Sequence, residues 1–187
     1  MKLHFYKASE ANKAVILRQG NKRKEWELIL WDLDTDTFTQ GQWLMNKMLD
    51  AKKAAISPNG IYFVYGYDTY GDEGWQSVGV ASKLPNFTAE YFSSDTGGRI
   101  WYDPHFDKTG KLVQFYYVKR NEETSLETIT WDELGRDKSK FADSGYKGQS
   151  FTDPKGRQIK AVEGKLFADE DLLYDTTDHV FQKVRPV

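Results

Sequence analysis

The 187-residue chain is 39% hydrophobic and 29% charged, too apolar for a disordered segment and long enough for one domain with a sizeable core. Its formal net charge of −2 gives no bulk attraction to nucleic acid, and the absence of cysteine excludes disulfides, thiol nucleophiles and cysteine-ligated metals. No run approaches the roughly 20 apolar residues of a membrane span. Residues 1–7 lack the apolar core of a secretion signal, so the expected compartment is the cytoplasm. Six Trp, eleven Tyr and eleven Phe favour strands.

Residues 2–7 predict a first strand and 8–13 a turn. Residues 13–18 predict a second strand, followed by Gly20-Asn21 and the basic loop Lys22, Arg23, Lys24. Residues 26–33 predict a third strand. Asp34-Thr35-Asp36-Thr37 predicts a turn, because Asp and Thr side chains bond their own backbone there. A fourth strand covers 38–45, and 51–56 leads into Ser57-Pro58-Asn59-Gly60. Residues 42–52 have the only helix-forming composition, but the repeat described next argues for strand and loop.

In Ser57-Pro58-Asn59-Gly60, proline presets φ and glycine accepts φ > 0, and the turn feeds an apolar, aromatic run, Ile61 onward. The same grammar returns at Asp107-Lys108-Thr109-Gly110 and at Asp153-Pro154-Lys155-Gly156. The glycines at 60, 110 and 156 lie 50 and 46 residues apart, the period of an array of β modules. Leu30-Trp31-Asp32-Leu33-Asp34-Thr35 resembles the Trp-Asp strand end and following turn of WD40-type β-propeller blades. Ser57-Pro58-Asn59-Gly60 resembles the turn that enters such a blade's second strand, and Thr130-Trp131-Asp132 repeats the Trp-Asp element. Residues 78–82 and 171–175 lack that element, and the family's Gly-His dipeptide occurs nowhere.

The resemblance implies four-stranded antiparallel blades around a channel. On that template the second strands are 13–18, 61–67, 111–118 and 157–162, and the third strands 26–33, 75–82, 125–133 and 171–175. Fourth strands and the next first strands share 38–56, 87–106 and 140–152. Residues 2–7 and 179–184 remain, and their pairing would close the ring. The expected fold is all-β, one domain over 1–187, as a small propeller-like array of about four blades. A twisted β-sandwich or meander is the alternative.

His4, His105 and His179 are scattered and read as isolated imidazoles. Nucleotide, hydrolase and EF-hand signatures are missing. Asp32, Asp34 and Asp36 fall on one face of a strand, and a hydrogen-bonded turn is the preferred reading over calcium. No metal and no cofactor are expected. A glycosidase needs two carboxyls about 5–10 Å apart beside aromatic platforms; Asp68 or Asp72 beside Tyr67, Tyr70, Trp75 and Trp101 can be drawn that way.

Residues 67–75 read as a long loop with two glycines, three acids and three aromatics, a composition that suits binding. The alternative is a long hairpin with its aromatics folded onto the sheet. On the template the loops after the second strands share one face. Three of them are acidic: Asp68, Asp72, Glu73; Glu122, Glu123; and Asp169, Glu170, Asp171. Residues 93–99 would reach the same face ahead of Trp101 and Tyr102. The candidate partner-binding set is therefore Tyr67, Asp68, Tyr70, Asp72, Glu73, Trp75, Trp101, Tyr102, Glu122, Asp169, Glu170 and Asp171.

The expected function is a non-catalytic module for a basic protein or peptide, with no nucleic-acid or membrane partner. A narrower version is a small bacterial immunity or inhibitor protein. The alternatives are a carbohydrate-binding or glycoside-hydrolysing propeller, and an oligomer joined through exposed sheet edges.

Overall fold

A computed structural model describes residues 1–22, 24–71, 74–95, 105–114, 118–120, 126–134, 138–143 and 146–181. The architecture is all-β. The first sheet is a meander of β1 (Lys2–Lys7), β2 (Lys13–Gln19), β3 (Glu25–Asp32) and β4 (Thr37–Met45). The second is a meander of β5 (Met48–Ile56), β6 (Tyr62–Gly71), β7 (Gly74–Lys83) and β8 (Ala89–Asp95). A smaller third unit pairs β9 (Leu112–Gln114) with β11 (Thr128–Thr130), while β10 (Val118–Arg120) extends the second sheet beside β8. A short helix α1 (Trp131–Leu134) and a 3-10 turn (Lys138–Lys140) follow. Strand β12 (Tyr146–Gly148) joins the first sheet beside β1, and β13 (Ser150–Thr152), β14 (Gln158–Val162), β15 (Lys165–Ala168) and β16 (Asp171–Asp175) make the last meander.

The repeated turns are equivalent in three dimensions. Gly60, Gly110 and Gly156 all have positive φ, at 70°, 86° and 82°. Each donates its N–H to the carbonyl three residues back, on Ser57 (2.8 Å), Asp107 (3.0 Å) and Asp153 (3.0 Å). That first residue is buried in each copy and its side-chain oxygen caps the start of the next strand. Ser57 Oγ accepts from Tyr62 N–H, Asp107 Oδ1 from Lys111 N–H and Asp153 Oδ1 from Arg157 N–H, each at 2.8 Å. Ala8 holds the corresponding place before β2, with its N–H donated to Lys13 O (3.0 Å).

Alternation along the strands builds the layers. Val15, Leu17, Trp26 and Leu28 pack against Leu49, Ala54, Ile56, Phe63, Tyr65 and Val80 of the second sheet. On the opposite face Ala14, Ile16, Ile29, Trp31 and Leu33 pack against Ile159, Leu166 and Ala168 of the last sheet. The second sheet turns Ala55, Tyr62, Val64, Ala81 and Tyr91 toward Phe106, Leu112 and Leu126 of the third unit. The layers therefore run last, first, second, third. The turns at Ala8, Ser57 and Asp153 share one end of this stack: Glu10 N–H donates to Pro58 O (3.0 Å), and the Asp153–Arg157 turn reaches Asp36 beyond β3. The hairpins after β2, β6 and β14 lie at the other end.

Several sequence expectations need correction. No described sheet closes into a barrel or ring. The inner edge of β1 is taken by β12, with Tyr146 opposite Tyr6 and Gly148 opposite Phe5, so residues 179–181 do not pair there; 182–184 lie outside the described residues. In the third unit β9 and β11 run parallel, so the described parts of 111–118 and 125–133 are not antiparallel neighbours. Trp131-Asp132 begins a helix rather than ending a strand; buried Leu134 anchors that helix, and Lys140 Nζ donates to its carbonyl (2.8 Å). The last sheet contains β15, which sequence reasoning missed. Glu163 and Gly164, at φ 51° and 88°, make a two-residue hairpin that sets Val162 opposite Lys165. Residues 42–52 are strand and a short connection, as the repeat argued.

The turn glycines differ in what surrounds them. An ideal Cβ at Gly60 would meet Lys13 Cδ at 2.9 Å, whereas one at Gly156 would meet nothing within 4 Å. Alanine at either site carries the left-handed penalty, roughly 1–2 kcal/mol. Gly60→Ala should cost more than Gly156→Ala because Lys13 must also move. Urea unfolding of both variants checks this, and equal midpoints would contradict it.

Candidate functional site

The predicted loop 67–75 is a paired hairpin. Tyr67 stands opposite Val78, Asp68 opposite Ser77, Thr69 opposite Gln76, Tyr70 opposite Trp75 and Gly71 opposite Gly74. On one side the flanking strand stops short of its end: pairing with β5 reaches only Asp68, at Met48. On the other side the described residues pair as far as Ser77, opposite Asp95. The edge of the tip beyond Asp68 therefore projects past β5. Tyr70, on this tip, is 71% exposed. Asp68, also exposed, shares its face and accepts from Ser77 Oγ (2.9 Å). Tyr67 faces the first sheet, half-buried, with Lys47 Nζ 4.7 Å from its ring centre. Burial raises the Tyr67 hydroxyl above its ordinary range.

Asp169, Glu170 and Asp171 do not join this surface. Asp169 and Glu170 form the β15–β16 turn, and Asp171 starts β16. Asp169 Oδ1 accepts from Gln158 N–H (2.9 Å), which fixes this turn beside the Asp153–Gly156 turn, at the opposite end of the stack from Tyr70. The missed strand β15 reverses the chain once more, so the acids change ends. Asp72, Glu73, Trp101, Tyr102 and Glu122 lie outside the described residues. Trp75 is placed by its backbone pairing alone.

Beside Asp68 a bulge in β5 opens a cleft. Leu49 pairs with Tyr67 and Ala54 with Tyr65, so residues 50–53 oppose Gly66 alone. The cleft holds about 20 Å³, room for roughly one water, and is lined by Asp50, Lys53, Tyr67, Asp68 and Ser77 among others. Nearby, His4 Nδ1 lies 3.0 Å from the Tyr146 hydroxyl. Burial lowers the His4 pKa, Lys2 lowers it further, and Asp50 opposes both. Burial, then Asp50, raises Tyr146. His4 is thus not an isolated imidazole. Its partner is 142 residues away, a distance at which no sequence motif operates.

The three alternating aspartates are each engaged differently. Asp32 Oδ1 accepts from the Asp34 and Thr35 N–H groups and from Thr35 Oγ1, all at 3.0 Å. Those bonds lower its pKa, with Thr35 the main cause. Asp34 accepts from Asn12 Nδ2 (2.9 Å). Asp36 takes Arg157 Nη2 and Lys155 Nζ, each at 2.8 Å, across the seam to the last sheet. Among the described residues no group of three or more His, Asp or Glu converges to hold a metal.

The opposite end of the same seam holds a buried charge cluster. Arg18 and Glu27 stand opposite on β2 and β3, 3% and 1% exposed, with Nη1 to Oε2 at 3.2 Å. His179 Nδ1 lies 3.0 Å from Glu27 Oε1 and 3.1 Å from Oε2. Arg18 Nε donates to Thr176 Oγ1 and Nη2 to His179 O, both at 3.2 Å, while its guanidinium lies 5.1 Å from the Trp43 ring centre. Burial raises Glu27 and lowers Arg18, and each partner opposes the other's shift.

No protein-family model matches the sequence, and neither curated proteins nor solved structures give a match. No described helix is long and apolar enough to cross a membrane.

Two predictions concern the seam. Arg157, with Lys155, holds the Asp36 carboxyl at about 2. Its folded pKa lies below the unfolded one, so the stabilisation is complete above about pH 4 and is lost as pH falls through 2. The contribution is at most about 2 kcal/mol, reduced by solvent screening. Asp36→Asn should flatten that stretch of the stability–pH curve, and an unchanged curve would refute it. At the other end, Arg18→Met should cost about 3–5 kcal/mol by stranding a buried carboxylate. Arg18→Met with Glu27→Leu should cost less than Arg18→Met alone in urea unfolding. A double variant as unstable as the sum of the singles would overturn this account.

Proposed function

We propose that the chain is a non-catalytic, cytoplasmic protein-binding module, built as a small propeller-like array of four units related to WD40-type blades. The equivalent turns at Gly60, Gly110 and Gly156 and the packing of the first unit on the last support the array reading. One observation carries the binding reading: the β6–β7 hairpin runs past β5 and presents Tyr70, 71% exposed, on the same face as Asp68. An edge without a flanking strand gains less from its own sheet. A tyrosine supplies rigid contact area with a polar handle, and a carboxylate beside it selects a basic partner. The narrower reading is a small immunity or inhibitor protein that masks such a partner.

A second reading has its own support. Asp50, Asp68 and Tyr67 meet at the rim of a cleft too small for a sugar ring itself, and these are the residue types of a carbohydrate site on the surface around it.

Chemical cross-linking in cell extract, read by quantitative mass spectrometry, tests both. Tyr70→Ala with Asp68→Lys should lose a basic protein partner at least tenfold while the melting midpoint stays put. Retention of that partner by the double variant would remove the hairpin from the interface. Binding to a glycan array that depends on Tyr67, without a protein partner, would favour the sugar reading.

A further inference from the structure

We infer that residues 177–181 are a strap, hinged at buried Thr176, that lifts from the first sheet while the sheets stay folded. Strand β16 ends at Asp175. Beyond it, the described backbone bonds are Thr176 N–H to Gly164 O (3.0 Å) and His179 N–H to Thr176 O (3.2 Å). Neither reaches the first sheet. Thr176 stays with the last sheet, its hydroxyl also donating to Gly164 O (2.6 Å). Among the described residues, the strap is tied to the first sheet at the Arg18–Glu27 pair through the His179 carbonyl and the His179 ring. The Gln40 amide nitrogen lies 2.8 Å from His179 Nε2, and Phe181 meets the Trp43 ring edge-on at 5.6 Å. Water is close at hand: Val180 is 76% exposed and Asp178 is exposed.

Two opposing quantities set the balance. Closure supplies several charge-assisted hydrogen bonds. It also keeps two ions out of water, a cost that the bonds must offset; the raised Glu27 carboxyl reflects that cost. Lifting the strap leaves Arg18 and Glu27 paired with each other at 3.2 Å and returns both to solvent. The cost of opening is therefore smaller than the number of broken contacts suggests. The lifted state uncovers the Arg18 guanidinium, which lies over the Trp43 ring. Opening is thus a switch between a covered and an uncovered state of one face of the first sheet at the hairpin end of the stack.

Fluorine NMR of the full chain labelled with 5-fluorotryptophan tests the strap. Trp43→Phe assigns the Trp43 resonance. Saturation transfer on the wild-type chain should reveal a minor state of Trp43 at about 0.1–10%, with the solvent isotope shift of an exposed indole. His179→Ala should enlarge that state about tenfold or more by removing a charge-assisted bond, and His179→Gln, which can still donate to Glu27, should fall between. The other tryptophan resonances should stay dispersed. A wild-type chain with no minor state, a Trp43 signal unmoved by His179→Ala, or collapse of all tryptophan dispersion in that variant would each overturn the inference.

Discussion

Strand β2 buries Ala14, Val15, Ile16, Leu17 and Arg18 in succession, and this run constrains everything around it. Successive strand residues face opposite ways, so an unbroken buried run needs a layer on each side. The second sheet covers one face and the last sheet the other. The chain must therefore bring its end back to its beginning. Arg18 is the one charge in that run, and it explains the details at its end of the seam. Its guanidinium cannot be left unpaired there, so Glu27 opposes it on β3, and Thr176 and the His179 carbonyl complete its bonds.

The first–last seam differs in kind from the first–second seam. The latter carries the larger apolar cluster, with Tyr6 donating to Ala51 O and Trp26 Nε1 to Lys47 O (3.1 Å). The former carries its own apolar cluster but adds polar ties at both ends: Asp36 with Arg157 and Lys155, and the Arg18–Glu27 pair of the first sheet with Thr176 and His179. Apolar burial is non-directional, whereas a two-ended set of hydrogen bonds fixes register. That difference suits layers contributed by opposite ends of the chain, which have no short linker to align them.

What was legible in the sequence had local causes. The turn glycines could be aligned because φ > 0 and the i to i+3 bond are set within four residues. Strands β1 to β8 followed from apolar and aromatic runs bounded by turn residues. The third unit was misread because Leu112–Gln114 and Thr128–Thr130 pair in parallel and Trp131–Leu134 is helical, both tertiary outcomes. Strand β15 was missed because Glu163, not Asn or Asp, takes the first left-handed place of its hairpin. That omission moved Asp169 and Glu170 to the wrong end. The site suffered more than the fold. The Arg18–Glu27–His179 cluster spans 161 residues in its longest bond, and His4–Tyr146 spans 142, so only folding joins them.

The same logic says where recognition belongs. Most of β1 to β3 is committed to packing, and the repeated turns spend their side-chain oxygens on their own backbones. Asp32, Asp34 and Asp36 are likewise occupied by turn amides, Asn12 and a neighbouring layer. The β6–β7 tip stands apart because β6 there has no partner on its β5 side, although the strand below is flanked on both sides. An edge that adds little to the layers can change sequence without loosening them. The scaffold's rigidity and the hairpin's freedom thus arise from one fact: β6 runs on past the strand β5 that flanks it.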